Sequence, residues 1–181
     1  YIGQDYSKTK FNAGQVTPDQ IAPLANRSFP MCMRSVHALF TQEHHIKYHA
    51  RQQFQLFLKG IGLTMEHCMQ YFEREFSKGG MGSSDSKMKG YMYNIRHSYG
   101  KEGKRTNYTP QSCAQIINTQ SATEQHGCPY KEWDGAQVKG AILKHHKQLK
   151  AEDVEAKIIE PMRGRHYQIA CRNHWEMTHH G

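Results

Sequence analysis

Two groups of residues in this 181-residue chain carry side chains suited to chemistry rather than to filling space. The first is a set of five cysteines: Cys32, Cys68, Cys113, Cys128 and Cys171. An odd number without a secretory signal pattern argues against a disulfide framework. Free thiols either pack as small hydrophobes or, as thiolates, bind metal. The second group is a run of hydrogen-bond donors, His44, His45, Lys47, Tyr48, His49 and Arg51, at the head of the stretch HHIKYHARQQFQLFLKGIGL (44–63). Donors at this density suit an anion, because a guanidinium offers a bidentate fork and an ammonium a point charge. The competing reading is an amphipathic helix with a solvated polar face.

Spacing sorts the cysteines. Cys68 falls with Met65, Met69, Phe72 and Phe76 on one face of a helix that Thr64 would cap, so it reads as a core thiol. The remaining four are spread along most of the chain and lack the C-x-x-C pair with which zinc knuckles usually begin. Cys32 follows Phe29–Pro30 and Cys113 follows Thr109–Pro110, which places both in the first turns of expected helices. Backbone N–H groups and the helix dipole favour a thiolate there. Cys128 precedes Pro129, as the last cysteine of some ferredoxin runs does. On spacing alone, an iron–sulfur cluster, a zinc ion and unliganded thiols stand level.

Charge narrows the partner. Lys and Arg number 24 against 16 Asp and Glu, a formal net charge of +8 before any of the 13 His is counted. Such a balance points to a polyanion, most simply nucleic acid. A membrane is disfavoured, since the chain has no apolar run of about 18 residues. The acidic residues are dispersed: Asp5, Asp19, Asp85, Asp134 and Asp153 form no D-x-D pair for two-metal chemistry, which argues against a stand-alone nuclease or polymerase. Beginning at Tyr1, the chain reads as a fragment of something longer.

The elements that must position these groups are mostly helical. Residues 1–16 read as a linker or weakly docked arm, and residues 17–181 as one domain. A helix should start at Thr17–Pro18, with Ile21 and Leu24 inward and Pro23 keeping it short, and another should run from Phe29–Pro30 to about Thr41. In the organising stretch, a helix would stack Lys47, Arg51 and Gln55 along one face and bury Phe54, Phe57, Leu58 and Ile61 on another. Lys78–Lys89 reads as a Gly/Ser-rich mobile loop. Tyr91–Ile95 alternates and fits a short strand with Tyr91, Tyr93 and Ile95 on one side, with a helical turn close behind. Arg96–Arg105 is a basic, Gly-punctuated loop that could cradle an anion, and Ser121–Gln125 is a second loop. Later helices are expected at about 136–150, with Val138, Ile142, His145 and Leu149 inward, at 152–162, and at about 165–178.

With donors and cysteines both in view, the chain resembles the C-terminal iron–sulfur domain of the large, non-catalytic subunit of eukaryotic DNA primase. The segments that carry the resemblance are PMCMRSVH, HHIKYHARQQFQLFLKGIGL, GYMYNIRHSYGKEGKRTNYTP, HGCPY and HYQIACRNHWEM, in the family's order over about residues 17–178. The resemblance implies two helical lobes with a 4Fe–4S cluster between them, at most a short β element near residues 91–95, and Cys32, Cys113, Cys128 and Cys171 as the cluster ligands. It implies binding of single-stranded template DNA at the RNA/DNA primer junction, including the 5′-triphosphate of the initiating nucleotide. The positions it carries over are His45, Lys47, Tyr48, Arg51, Lys59, Tyr91, Tyr93 and Asn94. It also implies a nuclear, non-catalytic and monomeric domain, acting through the full-length protein with the small catalytic primase subunit and DNA polymerase alpha. The alternative is a zinc-bound structural module for single strands. Two positions depart from the family: Tyr48 stands where animal members have His, and Phe54–Gln55 where Tyr-Gly is common.

Overall fold

The structure is a computed structural model that describes residues 16–119 and 125–179. The arm therefore lies outside the described residues except for Val16, and so does most of the Ser121–Gln125 loop. Val16 is buried and forms an isolated parallel bridge with Leu63. No β-sheet occurs among the described residues; the fold is helical.

Helix α1 (Pro18–Arg27) starts where Thr17 and Pro18 predict, and Gln20 Oε1 accepts the Thr17 N–H at 3.0 Å. Pro23 does not end it but sits inside it, leaving Ile21 and Ala25 fully buried. Helix α2 (Met31–Glu43) follows Phe29–Pro30 and stops at His44, which takes a left-handed conformation at φ 59°. Helix α3 (Tyr48–Gly60) carries the donor-rich stretch. Helix α4 (Met65–Lys78) is capped by Thr64, whose Oγ1 accepts from the His67 N–H at 3.2 Å.

Helix α5 (Ser86–Ser98) corrects two expectations. The Gly/Ser loop is shorter than 78–89, because Asp85 caps a helix that begins at Ser86 and its Oδ1 accepts the Lys87 N–H at 2.8 Å. Tyr91–Ile95 is helix, not strand. The apolar period that prevails is Met88, Met92 and Ile95, all buried, and a strand here would have had no partner. The correction moves Tyr91 and Tyr93 to different sides of α5. Tyr91 faces α3, whereas Tyr93 is exposed.

Helix α6 (Cys113–Asn118) begins three residues later than Thr109–Pro110 suggests. Ser112 is the cap, with its Oγ accepting from the Gln115 N–H at 3.1 Å and Gln115 Oε1 accepting from the Ser112 N–H at 2.8 Å. Cys113 still occupies the first turn. Helix α7 (Pro129–Glu132) is a single turn capped by Cys128. Helix α8 (Gly135–His145) ends sooner than expected, and Leu149 packs against the core from beyond its end. His145 is exposed rather than inward, and its Nε2–H donates to the Asn26 carbonyl at 2.7 Å. Helix α9 (Ala151–Val154) continues through a π-helical turn, Glu155–Ile159, into α10 (Glu160–Arg163). The wider turn puts consecutive Ile158 and Ile159 both in the core. Helix α11 (Tyr167–Thr178) closes the domain.

Helices α1–α5 pack on one another, and α7–α11 with the π turn form a second group. The first is centred on Phe40, Phe54, Phe72 and Phe76, the second on Val138, Ile142, Val154 and Ile158. Their buried residues form one contiguous cluster. Polar bonds stitch the groups as well: Ser28 Oγ to His179 Nε2 at 2.8 Å, and the Gly127 N–H to Gln53 Oε1 at 3.0 Å. No helix among the described residues is long and apolar enough to cross a membrane.

Candidate nucleic-acid interface and thiol centre

Of the polar row expected on α3, Lys47 is exposed at the cap, whereas Arg51 and Gln55 face inward onto α5, and Lys59 extends them. Arg51, Gln55 and Lys59 are spaced four apart and are all buried. The Arg51 guanidinium lies 4.1 Å from the centroid of Tyr91 and 5.7 Å from that of Tyr48. Gln55 Nε2 donates to Ser98 Oγ at 2.7 Å. Lys59 Nζ donates to the Ser98 carbonyl at 3.0 Å, and also to Asn107 Oδ1 and the Tyr108 carbonyl. On the other side of α3, Phe54 and Leu58 are fully buried, as the apolar stripe requires, while Phe57 and Ile61 are half-buried.

At the N-terminal end of α3 the predicted donors meet. Arg51 Nη1 donates to the Ile46 carbonyl at 2.8 Å, while its Nε is buried without a hydrogen bond. Burial lowers the Arg51 pKa from its ordinary value, partly offset by Tyr91 and Tyr48. His45 is exposed and shares a hydrogen bond from its Nε2 with the Tyr91 hydroxyl at 3.1 Å. Partial desolvation of the ring, with Arg51 and Lys87 nearby, pulls the His45 imidazole below its usual pKa. Lys47 caps α3, with its N–H bound by Gln125 Oε1 at 2.8 Å, and Tyr48 is half exposed. No acidic residue lies in the first turn of α3. The N–H groups of that turn and the helix dipole therefore add to the positive field of the side chains.

Lys59 is not part of this end. Eight residues beyond Arg51, it lies about 12 Å along the helix, where burial lowers its ammonium to about 8. Asn94 serves through its carbonyl, which accepts from Ser98 Oγ at 3.1 Å and from Gln55 Nε2 at 3.5 Å. Tyr93 points away from the donors, toward His97.

Two residues outside the predicted set hold the donor end in place. His44 Nδ1–H donates to Glu75 Oε2 at 2.7 Å, and Glu75 is buried. Gly79 leaves room for the same histidine, since a Cβ there would stand 3.1 Å from His44 Cβ. Neither partner is local to His44 in sequence, so no spacing rule could have paired them.

Of the five thiols, Cys68 is the one whose place the spacing settles. Cys68 is fully buried in the first helical group, with the Tyr99 hydroxyl as its neighbour, and burial pushes it up to about 12. The other four sulfurs act on one another. Cys32 is pushed well above its ordinary pKa by burial and then by Cys171, Cys128 and Cys113. Burial with Cys113 and Cys128 takes Cys171 up to about 12, and burial is the main cause that takes Cys128 to about 11. Each sulfur also has a donor: the Met33 N–H for Cys32, the Gln168 side chain for Cys113, the Lys131 and Tyr130 N–H groups for Cys128, and the Tyr130 hydroxyl for Cys171. The four thiols come from α2, α6, the α7 cap and α11, and each is shifted by burial against the thiolate while a nearby donor opposes that shift. Among the described residues, no group of three or more His, Cys, Asp or Glu could hold a metal ion.

Residues 22–181 match the family model for the C-terminal domain of the large subunit of eukaryotic and archaeal DNA primase. The chain is 45% identical over 181 residues to the DNA primase large subunits of Mus musculus and of Homo sapiens, covering 99% of this chain and 35% of each relative. It is 38% identical over 172 residues to the probable DNA primase large subunit of Arabidopsis thaliana, covering 94% of this chain and 37% of that protein. The chain therefore spans about a third of the length of these curated relatives.

Proposed function

The chain belongs to the family formed by the C-terminal domains of eukaryotic and archaeal DNA primase large subunits, and we propose that it binds the junction of template DNA and RNA primer by gripping the 5′-triphosphate of the initiating nucleotide at the N-terminal end of α3. One observation carries the reading. Arg51 is a buried guanidinium stacked on Tyr91, without a carboxylate partner among the described residues and with its Nε unbonded. A buried cation left without a counter-charge costs free energy that an anionic ligand can return. His45, Lys47, Tyr48 and the first N–H groups of α3 surround the same end and can donate to phosphoryl oxygens. A triphosphate occurs only at the initiating end of RNA, so charge alone would distinguish a new primer from an internal strand, with no base being read.

Cys32, Cys113, Cys128 and Cys171 are the proposed ligands of a 4Fe–4S cluster. The support is the influence that Cys32 and Cys171 feel from the other thiols and the donors that oppose the burial of each one. A four-cornered inorganic cluster spans a wider gap than a single ion, which suits thiols that interact without crowding one point. Such a group would tie α2 to segments more than 80 residues later in sequence order and couple metal binding to assembly of the two helical groups. In this reading the domain is an accessory, non-catalytic part of a nuclear primase. Phosphoryl transfer falls to the small subunit, and the remainder of the protein presents the domain to that subunit and to DNA polymerase alpha.

The test compares binding of two primer–template junctions that differ only in a 5′-triphosphate or 5′-hydroxyl on the RNA. Arg51→Ala should weaken the triphosphate junction by about 10-fold or more and the hydroxyl junction much less. Equal losses on both would remove the triphosphate assignment. Zinc, or neither metal, in place of about four iron atoms per chain would remove the cluster.

A further inference from the structure

A cavity of about 690 Å³ lies where α1, α2 and α8 meet. Its size falls within the range of about 300–1,000 Å³ that holds small molecules. Three basic side chains line it: Arg34 from α2, and Lys144 and His145 from the last turn of α8. No Asp or Glu lines it among the described residues. Trp133, the residue that ends α7, forms a further wall. Its ring meets no other aromatic ring among the described residues, whereas the ring of Trp175 is covered by His179 at 4.1 Å and 3°.

Arg34 is half-buried, and burial lowers its pKa, with Tyr130 opposing. Its Nη1–H donates to His146 Nε2 at 3.3 Å, and it forms no ion pair among the described residues. His146 supplies no counter-charge. Burial, then His145, Arg34 and His179, hold it down at about 4, so it accepts that bond as a neutral ring. The rings beyond it are imidazoles as well, His145 at 4.5 Å and His174 at 5.8 Å between centroids. Lys144 is exposed and likewise forms no ion pair among the described residues. The acids on either side of Trp133 in sequence are placed elsewhere. Asp134 caps α8, its Oδ1 accepting the Gln137 N–H at 2.7 Å, and Glu132 lines the adjoining cavity.

We propose that this cavity is a binding site for a purine mononucleotide, with Arg34 and Lys144 on its phosphate and Trp133 against its base. The phosphate supplies the counter-charge that the half-buried guanidinium lacks. The indole offers a wide apolar face on which a purine can stack. Two hydroxyls on the α2 wall suit the sugar. Ser35 Oγ–H donates to the Cys32 carbonyl at 3.1 Å and Thr41 Oγ1–H to the His37 carbonyl at 3.0 Å, so each oxygen keeps a lone pair for a ribose hydroxyl. At the rim, His145 Nε2–H is held by the Asn26 carbonyl at 2.7 Å, which fixes the ring between α1 and α8. Inorganic phosphate would satisfy Arg34 alone. The indole and the two hydroxyls favour a ligand that also carries a base and a sugar. The site shares no residue with the donor end of α3, and it stands whether or not that end grips a triphosphate.

The experiment titrates AMP, adenosine and inorganic phosphate into the full chain and follows the indole N–H resonances of its two tryptophans, with Trp133→Phe to assign them. AMP should shift the Trp133 signal and leave that of Trp175 in place. It should bind about 10-fold or more tighter than adenosine or phosphate alone, because one molecule then engages both contacts. Arg34→Gln should weaken AMP by about 10-fold and Lys144→Ala by about 5-fold, with adenosine unchanged in both. Lys144→Ala is the deciding variant, since its exposed side chain can be removed without disturbing the fold, and it should keep the triphosphate-to-hydroxyl preference on junctions. Unchanged AMP affinity in Lys144→Ala, or a Trp133 signal that AMP does not move, would overturn the site. Phosphate that binds as tightly as AMP would overturn the nucleotide assignment. AMP carries no triphosphate, so failure of the α3 grip would appear separately, in the junction preference of Arg51→Ala.

Discussion

Glu75 holds His44 across the first helical group, accepting from its Nδ1–H at 2.7 Å while itself buried. His44 is the left-handed residue that ends α2, and the residue after it, His45, reaches Tyr91 at the donor end. Glu75→Ala should therefore act twice. It should cost about 1–3 kcal/mol of stability through the lost charged hydrogen bond, and it should weaken triphosphate junctions several-fold by freeing the His44–His45 turn. Urea midpoints and junction affinities are the two readouts. An unaltered affinity in a destabilised protein would restrict Glu75 to folding.

Gly60 ends α3 against the loop that leads to Cys113. A Cβ there would fall 2.5 Å from Pro110 Cγ, closer than atoms pack. Gly60→Ala should cost about 1–3 kcal/mol by overpacking, and it should lower the iron retained after purification because Pro110 must shift its segment. A variant that melts normally with full iron would mean that the loop yields freely.

The cysteines should separate into two classes on substitution. Cys113→Ser should give colourless, poorly soluble protein. Cys68→Ala should keep its colour and iron and lose about 1–2 kcal/mol from the small cavity it leaves. Metal analysis and visible absorbance on both variants check the division, and a bleached Cys68→Ala would contradict it.

His37 gives the stability a pH dependence of predictable sign. It is buried beside Phe29 and Phe54, and that burial lowers its pKa, with Glu75 opposing. The unfolded chain therefore binds a proton that the folded chain resists. Stability should be unaffected well above the ordinary imidazole value of about 6.5 and should fall as pH drops through it toward the lower folded value. His37→Leu should reduce the difference between urea midpoints at neutral and mildly acid pH. An equal difference in both proteins would show that other groups carry it.

Sequence reasoning located what depends on short range. The caps at Thr17 and Thr64, the starts near Pro18 and Pro30, and the core placing of Cys68 follow from residues within a turn of one another. It erred where two periods competed. Alternation over Tyr91–Ile95 suggested a strand, and only the longer Met88, Met92 and Ile95 spacing reveals the helix. That error also hid His97, which pairs with Tyr93 only at a helical interval. The donor-rich residues were legible, but the inward turn of Arg51, Gln55 and Lys59 was not, because it depends on α5 and its following loop covering them. Partners as remote as Gln53 with Gly127 leave no mark in local composition.

The segment from Gln125 to Cys128 is fastened to α3 at two points, through Gln125 Oε1 on the Lys47 N–H and the Gly127 N–H on Gln53. The residue that follows those fastenings is Cys128, one of the four proposed cluster ligands. A short segment therefore forms a strap with the sulfur at one end and the first turn of α3 at the other. Oxidation or loss at the sulfur would slacken that strap, and the helix start would register the damage before any distant part of the domain came apart.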